Sequence, residues 1–133
     1  MAQVTIFWTH EIEDYFRRKL GEPLEIGGLL LTVERGDRVY FPLCVVPKQK
    51  RSPASFVFDP AAQHAICEEA RATLGDYCFS LIHTHPSFGA FLSGIDEAQM
   101  PAVAYSMVMG GRPESPQIRL FKRVGGASQE LSF

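Results

Sequence analysis

Residues 77–83 read YCFSLIH, an apolar run with no charge after Asp76, and Thr84, His85 and Pro86 follow at once. Aromatic, β-branched and leucine residues in a run this short are the pattern of a buried strand. Side chains alternate faces along a strand, so residues two apart point the same way. His83 and His85 are therefore expected on one side of the strand's C-terminal end, with Pro86 breaking the chain directly after them. The rest of the chain has to be arranged around this stretch. Seven residues separate His85 from Ser93, and Asp96 lies three further on. Two imidazoles, a carboxylate from the next element and one open position for water describe a catalytic zinc site rather than a closed structural one. Ser93 and Asp96 also have a second reading. Serine caps helices, and Asp96 would sit in a first turn, where the helix dipole favours negative charge. That reading explains neither the histidines nor the proline after them.

The string resembles the motif of the JAB/MPN family, whose active members are the JAMM zinc metalloproteases. The family pattern is His-x-His, usually with Pro next, then Ser-x-x-Asp, and a glutamate far upstream. His83, His85, Pro86, Ser93 and Asp96 match it with the family spacing. The glutamate is usually embedded as Glu-apolar-x-Gly-Leu, and Glu25-Ile26-Gly27-Gly28-Leu29 supplies it. The order of elements from about residue 9 to 125 is also similar, so the likeness covers most of the chain. One small departure is Leu81-Ile82, where an aromatic often precedes the first histidine.

A length of 133 residues suits one domain with a real core and is short for two, so residues 1–133 are expected to form a single domain. A net charge of −2 gives no ground for broad nucleic-acid binding. No apolar stretch approaches membrane-spanning length, and the N-terminus lacks the basic segment of a secretory signal, so a cytoplasmic protein is expected. Cys44, Cys67 and Cys78 form no C-x-x-C pair that could hold a structural zinc. Cys44 and Cys78 lie in apolar runs and read as small buried hydrophobes.

In order, residues 3–8 read as a short strand and His10–Leu20 as a helix. Thr9 can cap that helix, acids suit its start and bases its end, and Gly21 can close it. Ile12, Phe16 and Leu20 give it a buried stripe. A strand is expected over residues 24–34, with Glu25 its odd acidic member. Gly27 and Gly28 mark a close approach by something else. Arg35–Arg38 reads as a hairpin turn, and residues 39–46 as the partner strand, where Pro42 points to a bulge or an edge. Residues 47–55, PKQKRSPAS, read as a basic, solvated loop. A short strand over 56–58 precedes a helix that Asp59-Pro60 starts and Gly75 stops. After the motif, Ser93 starts a short helix, and strands are expected at 104–110, 117–124 and 128–133. Alternating strands and helices make the chain α/β or α+β. The resemblance sharpens this to a mixed, curved β-sheet flanked by helices, an architecture shared with cytidine deaminases.

The resemblance also implies an activity: zinc-dependent hydrolysis of a peptide or isopeptide bond at the C-terminal tail of a ubiquitin-like (β-grasp) protein. His83, His85 and Asp96 would hold Zn2+, Glu25 would act as general base and Ser93 as oxyanion donor. Compact members similar to this chain often act on bacterial ubiquitin-like or sulfur-carrier proteins. Short inter-strand loops leave little room for the insertions that grip ubiquitin chains in larger relatives. The alternative within the family is a non-catalytic scaffold, but members of that kind usually lack one or more of the five motif residues, all present here. A nucleobase deaminase would need His-x-Glu and Pro-Cys-x-x-Cys, and the chain has neither.

Overall fold

A computed structural model of the protein describes residues 2–75, 78–86, 103–124 and 127–133. The histidine strand, β8, runs over Cys78–Pro86 and lies inside a mixed sheet. Antiparallel on one side of it is β3 (Gly27–Arg35), in a register that sets Gly27 opposite His83 and Gly28 opposite Ile82. Parallel on the other side is β9 (Ser106–Arg112), with His85 beside Gly110. Pro86 does not break the chain as expected. It remains in β8, paired with Gly111, whose φ is +86°.

From β9 the sheet continues antiparallel through β10 (Ser115–Val124) to β11 (Ala127–Ser132). From β3 it continues through β4 (Arg38–Phe41). Gly36, with φ of +64°, turns the chain between β3 and β4, as the Arg35–Arg38 stretch predicts. A two-residue strand, β5 (Cys44–Val45), returns to pair with Leu29 and Leu30. Val33 pairs with Tyr40 and Leu30 with Cys44, so two residues of β3 oppose three of the partner. That count is a bulge. It falls at Pro42, which has no N–H to give to a ladder.

The two margins of the sheet meet through the N-terminal strand. Its first part, β1 (Ala2–Gln3), lies parallel to β11, and its second part, β2 (Thr5–Trp8), lies parallel to β4. Val4 N–H donates to Ser132 O at 2.9 Å and Thr5 N–H to Asp37 O at 2.8 Å, which carries the chain from one margin to the other. The result is a strongly curved half-barrel.

Helix α1 (His10–Lys19) packs on one face of the sheet, over β8 and β9. Thr9 Oγ1 accepts from Ile12 N–H at 3.3 Å, Glu11 and Glu13 lie in the first turn, and three basic residues lie in the last. Ile12, Phe16 and Leu20 enter a core with Ile26, Leu30, Ile82, Met107 and Leu120. Helix α2 (Pro60–Leu74) has the expected Asp59 cap and Gly75 stop, and none of its residues is fully buried. Cys44 is half-buried, and desolvation pushes its thiol up to about 12. Cys78 is exposed, which corrects the reading of it as a buried hydrophobe; it sits at the very start of β8, before the strand enters the core. No helix among the described residues is long and apolar enough to cross a membrane.

Phe16 has no solvent exposure and is the bulkiest fully buried side chain of α1. Phe16→Ala is expected to lower the unfolding free energy by about 3–5 kcal/mol, read as a lower urea midpoint with an unchanged slope.

Candidate metal centre

Residues 25–30 leave their side chains alternately on the two faces of the sheet. Ile26, Gly28 and Leu30 face the α1 core, and Glu25 and Gly27 face the opposite side with His83 and His85. Each glycine is required on its own face. A Cβ on Gly28 would lie 2.8 Å from Phe16 Cζ and 2.8 Å from Cys44 Sγ. A Cβ on Gly27 would overlap the ring of Phe56. Phe56 belongs to β7 (Phe56–Phe58), and its ring lies 5.3 Å, centroid to centroid, from the imidazole of His83. Gly27 thus opens the space through which Phe56 packs against the first histidine.

His83 and His85 are 0% and 3% exposed, and their Nε2 atoms are 3.0 Å apart. Glu25 is 5% exposed, and its Oε2 lies 3.9 Å from His85 Nε2. That is beyond direct hydrogen-bond distance from this nitrogen. Ligand atoms of all three side chains fall within 4.8 Å of one another. Two imidazole nitrogens at about 2.0–2.1 Å from a tetrahedral zinc stand about 3.3 Å apart, so the converging pair fits such an ion with a small opening of the rings. Nitrogen and carboxylate donors suit a borderline-soft divalent cation. The group can hold a metal ion.

Thr84, between the histidines, fixes the approach of Glu25. Its N–H donates to Ile26 O at 3.0 Å, and its Oγ1 accepts from Ile26 N–H at 3.0 Å. Because a side chain takes the place of the next ladder carbonyl, β3 begins at Gly27, not at the expected residue 24. Glu25 leaves the ladder and is held elsewhere. Its N–H donates to Ser52 O at 2.9 Å, and its carbonyl accepts from Arg51 Nε at 2.8 Å.

Those partners come from the stretch expected to be a solvated loop. Residues 47–55 instead contain β6 (Gln49–Arg51), paired antiparallel with β7. Arg51 also reaches the Glu22 carboxylate at 2.8 Å, and Lys19 Nζ reaches it at 3.0 Å. Hydrogen bonds from Arg51 and then Lys19 hold the Glu22 carboxyl below the usual carboxylate range. A depressed carboxylate pKa stabilises the fold above the unfolded value and is lost as pH falls through the folded one, so this tie weakens in acid. Gln49, Arg51, Phe56 and Thr84 were not singled out in the sequence as site residues. The one available signal was the two-residue spacing of Gln49 and Arg51, which puts both on one strand face.

Of the residues expected from the motif, the structure brings together Glu25, His83 and His85. Ser93 and Asp96, with the short helix expected to start at Ser93, lie outside the described residues.

The fold is that of the solution structure of protein DSY2949 from Desulfitobacterium hafniense: TM-score 0.76 over 96% of this chain and 90% of that one, at 20% identity. The model of a family described as prokaryotic homologs of the JAB domain matches residues 11–124, and the chain belongs to that family. No curated protein sequence matches it.

Gly27→Ala is expected to cost about 1–3 kcal/mol by overpacking against Phe56. Combining it with Phe56→Leu should cost clearly less than the sum of the two single changes, because the smaller side chain vacates the space a Cβ needs. A double-mutant cycle by urea denaturation reads the difference, and strict additivity would contradict the close packing described.

Proposed function

We propose that the protein is a zinc metallopeptidase of the JAMM type, cleaving a peptide or isopeptide bond at the C-terminal tail of a ubiquitin-like or sulfur-carrier β-grasp protein. The observation that carries this reading is the buried convergence of Glu25, His83 and His85 in a chain of the JAB family. In the proposal His83, His85 and Asp96 hold the zinc. When bound, the ion supplies a Lewis acid and brings the pKa of water towards neutrality.

Glu25 is suited to the work of a base. It approaches the histidine pair from the segment just before β3, yet its carboxylate is displaced from His85 Nε2 by 3.9 Å. It can accept a proton from the attacking water and return it to the leaving amine nitrogen. Ser93 donates a hydrogen bond to the oxyanion that forms on the scissile carbonyl. Burial of Glu25, His83 and His85 keeps bulk water from competing for their contacts and strengthens each of them. The reading includes action in the cytoplasm, where ubiquitin-like and sulfur-carrier substrates would be met.

Metal content and single-turnover cleavage of a β-grasp protein extended at its C-terminus by a short peptide test the assignment together. Wild type should carry close to one zinc per chain, and His83→Ala with His85→Ala should carry none. Glu25→Gln should keep its zinc and lose about a hundredfold or more in rate. Ser93→Ala should also keep zinc and lose about a hundredfold. Asp96→Ala should lose zinc and activity together. Wild type that neither holds nor takes up zinc removes the basis of the proposal. A zinc-loaded Glu25→Gln that cleaves at the wild-type rate makes Glu25 structural. Zinc-loaded wild type with no cleavage of any tail-extended substrate leaves the scaffold reading in its place.

A further inference from the structure

We infer that Gln49 and Arg51 are positioning residues for Glu25, and that the β6–β7 hairpin is a clamp holding its carboxylate against the histidine pair. This rests on the reading of Glu25 as a base.

The geometry is unusual for a basic surface stretch. Gln49 Oε1 accepts from Gly27 N–H at 2.9 Å, while its Nε2 donates to Gly27 O at 2.9 Å and to Pro47 O at 3.0 Å. A primary amide offers one acceptor and two donors, so it takes both polar groups of one residue as a neighbouring strand would. Gly27 sits where β5 does not reach, since β5 pairs with Leu29 and Leu30. Gln49 therefore completes the ladder at the residue facing His83. Two positions on, Arg51 uses its fork in the same direction. Nε donates to Glu25 O, and Nη2 donates to Leu24 O at 3.2 Å and to the Glu22 carboxylate. Ser52 O takes the Glu25 N–H.

Both backbone polar groups of Glu25 are thus bound by the hairpin, and both of Gly27 by Gln49. Between them Ile26 is bound to Thr84 of β8. The segment that aims the carboxylate is held from two sides: β8 carries the histidines, and β6 carries the clamp. An error of about 1 Å in placing a reacting group can cost about a hundredfold in rate. The bonds of Gln49 and Arg51 reach neither histidine, and the hairpin meets His83 through Phe56, so loss of those two side chains should misplace Glu25 and leave the imidazole pair in place.

The test uses Arg51→Ala, Arg51→Lys and Gln49→Glu in the full chain. Gln49→Glu keeps the shape and removes the two donors; Arg51→Lys keeps the charge and removes the fork. Three quantities are read: zinc affinity, amide hydrogen exchange at Glu25 and Gly27, and single-turnover cleavage of the tail-extended β-grasp probe. Zinc affinity should stay within about threefold, because the second-sphere losses of about tenfold or more follow from partners of the ligands themselves. Exchange should speed up at Glu25 and Gly27 while Leu29–Leu31 keep their protection. Cleavage should fall by about tenfold to a hundredfold in Arg51→Ala and recover in part with added guanidinium ion. In the Glu25→Gln background Arg51→Ala should cost almost nothing further, because the group it positions is already gone.

An equal loss in both backgrounds would overturn the inference, as would loss of zinc or unchanged exchange at both amides. If Arg51→Ala does not fold, Arg51→Lys and Gln49→Glu carry the same comparisons, and wild-type behaviour of both also overturns it. Should wild type cleave nothing, the peptidase reading fails by itself. The clamp is then decided by exchange at Glu25 and Gly27 alone.

Discussion

At Gly27 and Gly28 the β3 backbone is pressed from both sides, by Phe56 on one face and by Phe16 and Cys44 on the other. Two missing side chains at successive positions let a sheet admit close neighbours on both faces at one level. The helix core and the histidine site consequently lie back to back across a single backbone. The register that sets Gly27 against His83 makes this contact the meeting point of the two strands that define the site. Side chains on this part of β3 would push Phe56 from the first imidazole and α1 from the sheet. The Gly-Gly pair therefore acts on the site by steric means, without a functional group of its own.

What the sequence disclosed follows from how locally each feature is determined. Helix α1 was legible because its cap, its charge order and its apolar stripe all lie within twelve residues. The histidine strand was legible because alternation alone fixes which side His83 and His85 share. Pro42 correctly signalled a bulge, since the missing N–H is a local fact. The hairpin at 47–55 was illegible for the opposite reason. Its lysines and prolines describe a wet loop, and the inward roles of Gln49 and Arg51 depend on residues 22–27, distant in sequence. Pro86 misled because a parallel neighbour can accept a residue without an N–H at a strand end. Cys78 misled because hydropathy does not record that a strand's first residue stands outside the core. Within the site, spacing revealed the histidines, but Glu25 was recognised only through its motif, because nothing local explains an acid at that position.

Burial of Glu25 beside two imidazoles has an energetic side. Taking an ionised carboxylate out of water costs several kcal/mol unless charge or hydrogen bonding compensates it. A divalent cation among these three groups would offset that cost, and a ligand that binds only the folded chain stabilises it by mass action. Arg51 adds rigidity from the other direction by fixing carbonyls of Leu24 and Glu25 while engaging the Glu22 carboxylate. The segment before β3, where Pro23 already fixes one φ, is thus anchored without ladder pairing.

The N-terminal strand, which lies beside β11 at Gln3 and beside β4 at Thr5–Trp8, has a consequence in time as well as in space. A nascent chain emerges N-terminus first, at about 5–20 residues per second. Thr5–Trp8 can dock as soon as Arg38–Phe41 is free of the ribosome. Ala2 and Gln3 must wait for Leu131 and Ser132, which arrive on the order of ten seconds later. Throughout that interval one half of a strand is settled and the other half is vacant. Closing the half-barrel thus waits for β11, and the nascent sheet has an unpaired margin until that strand arrives.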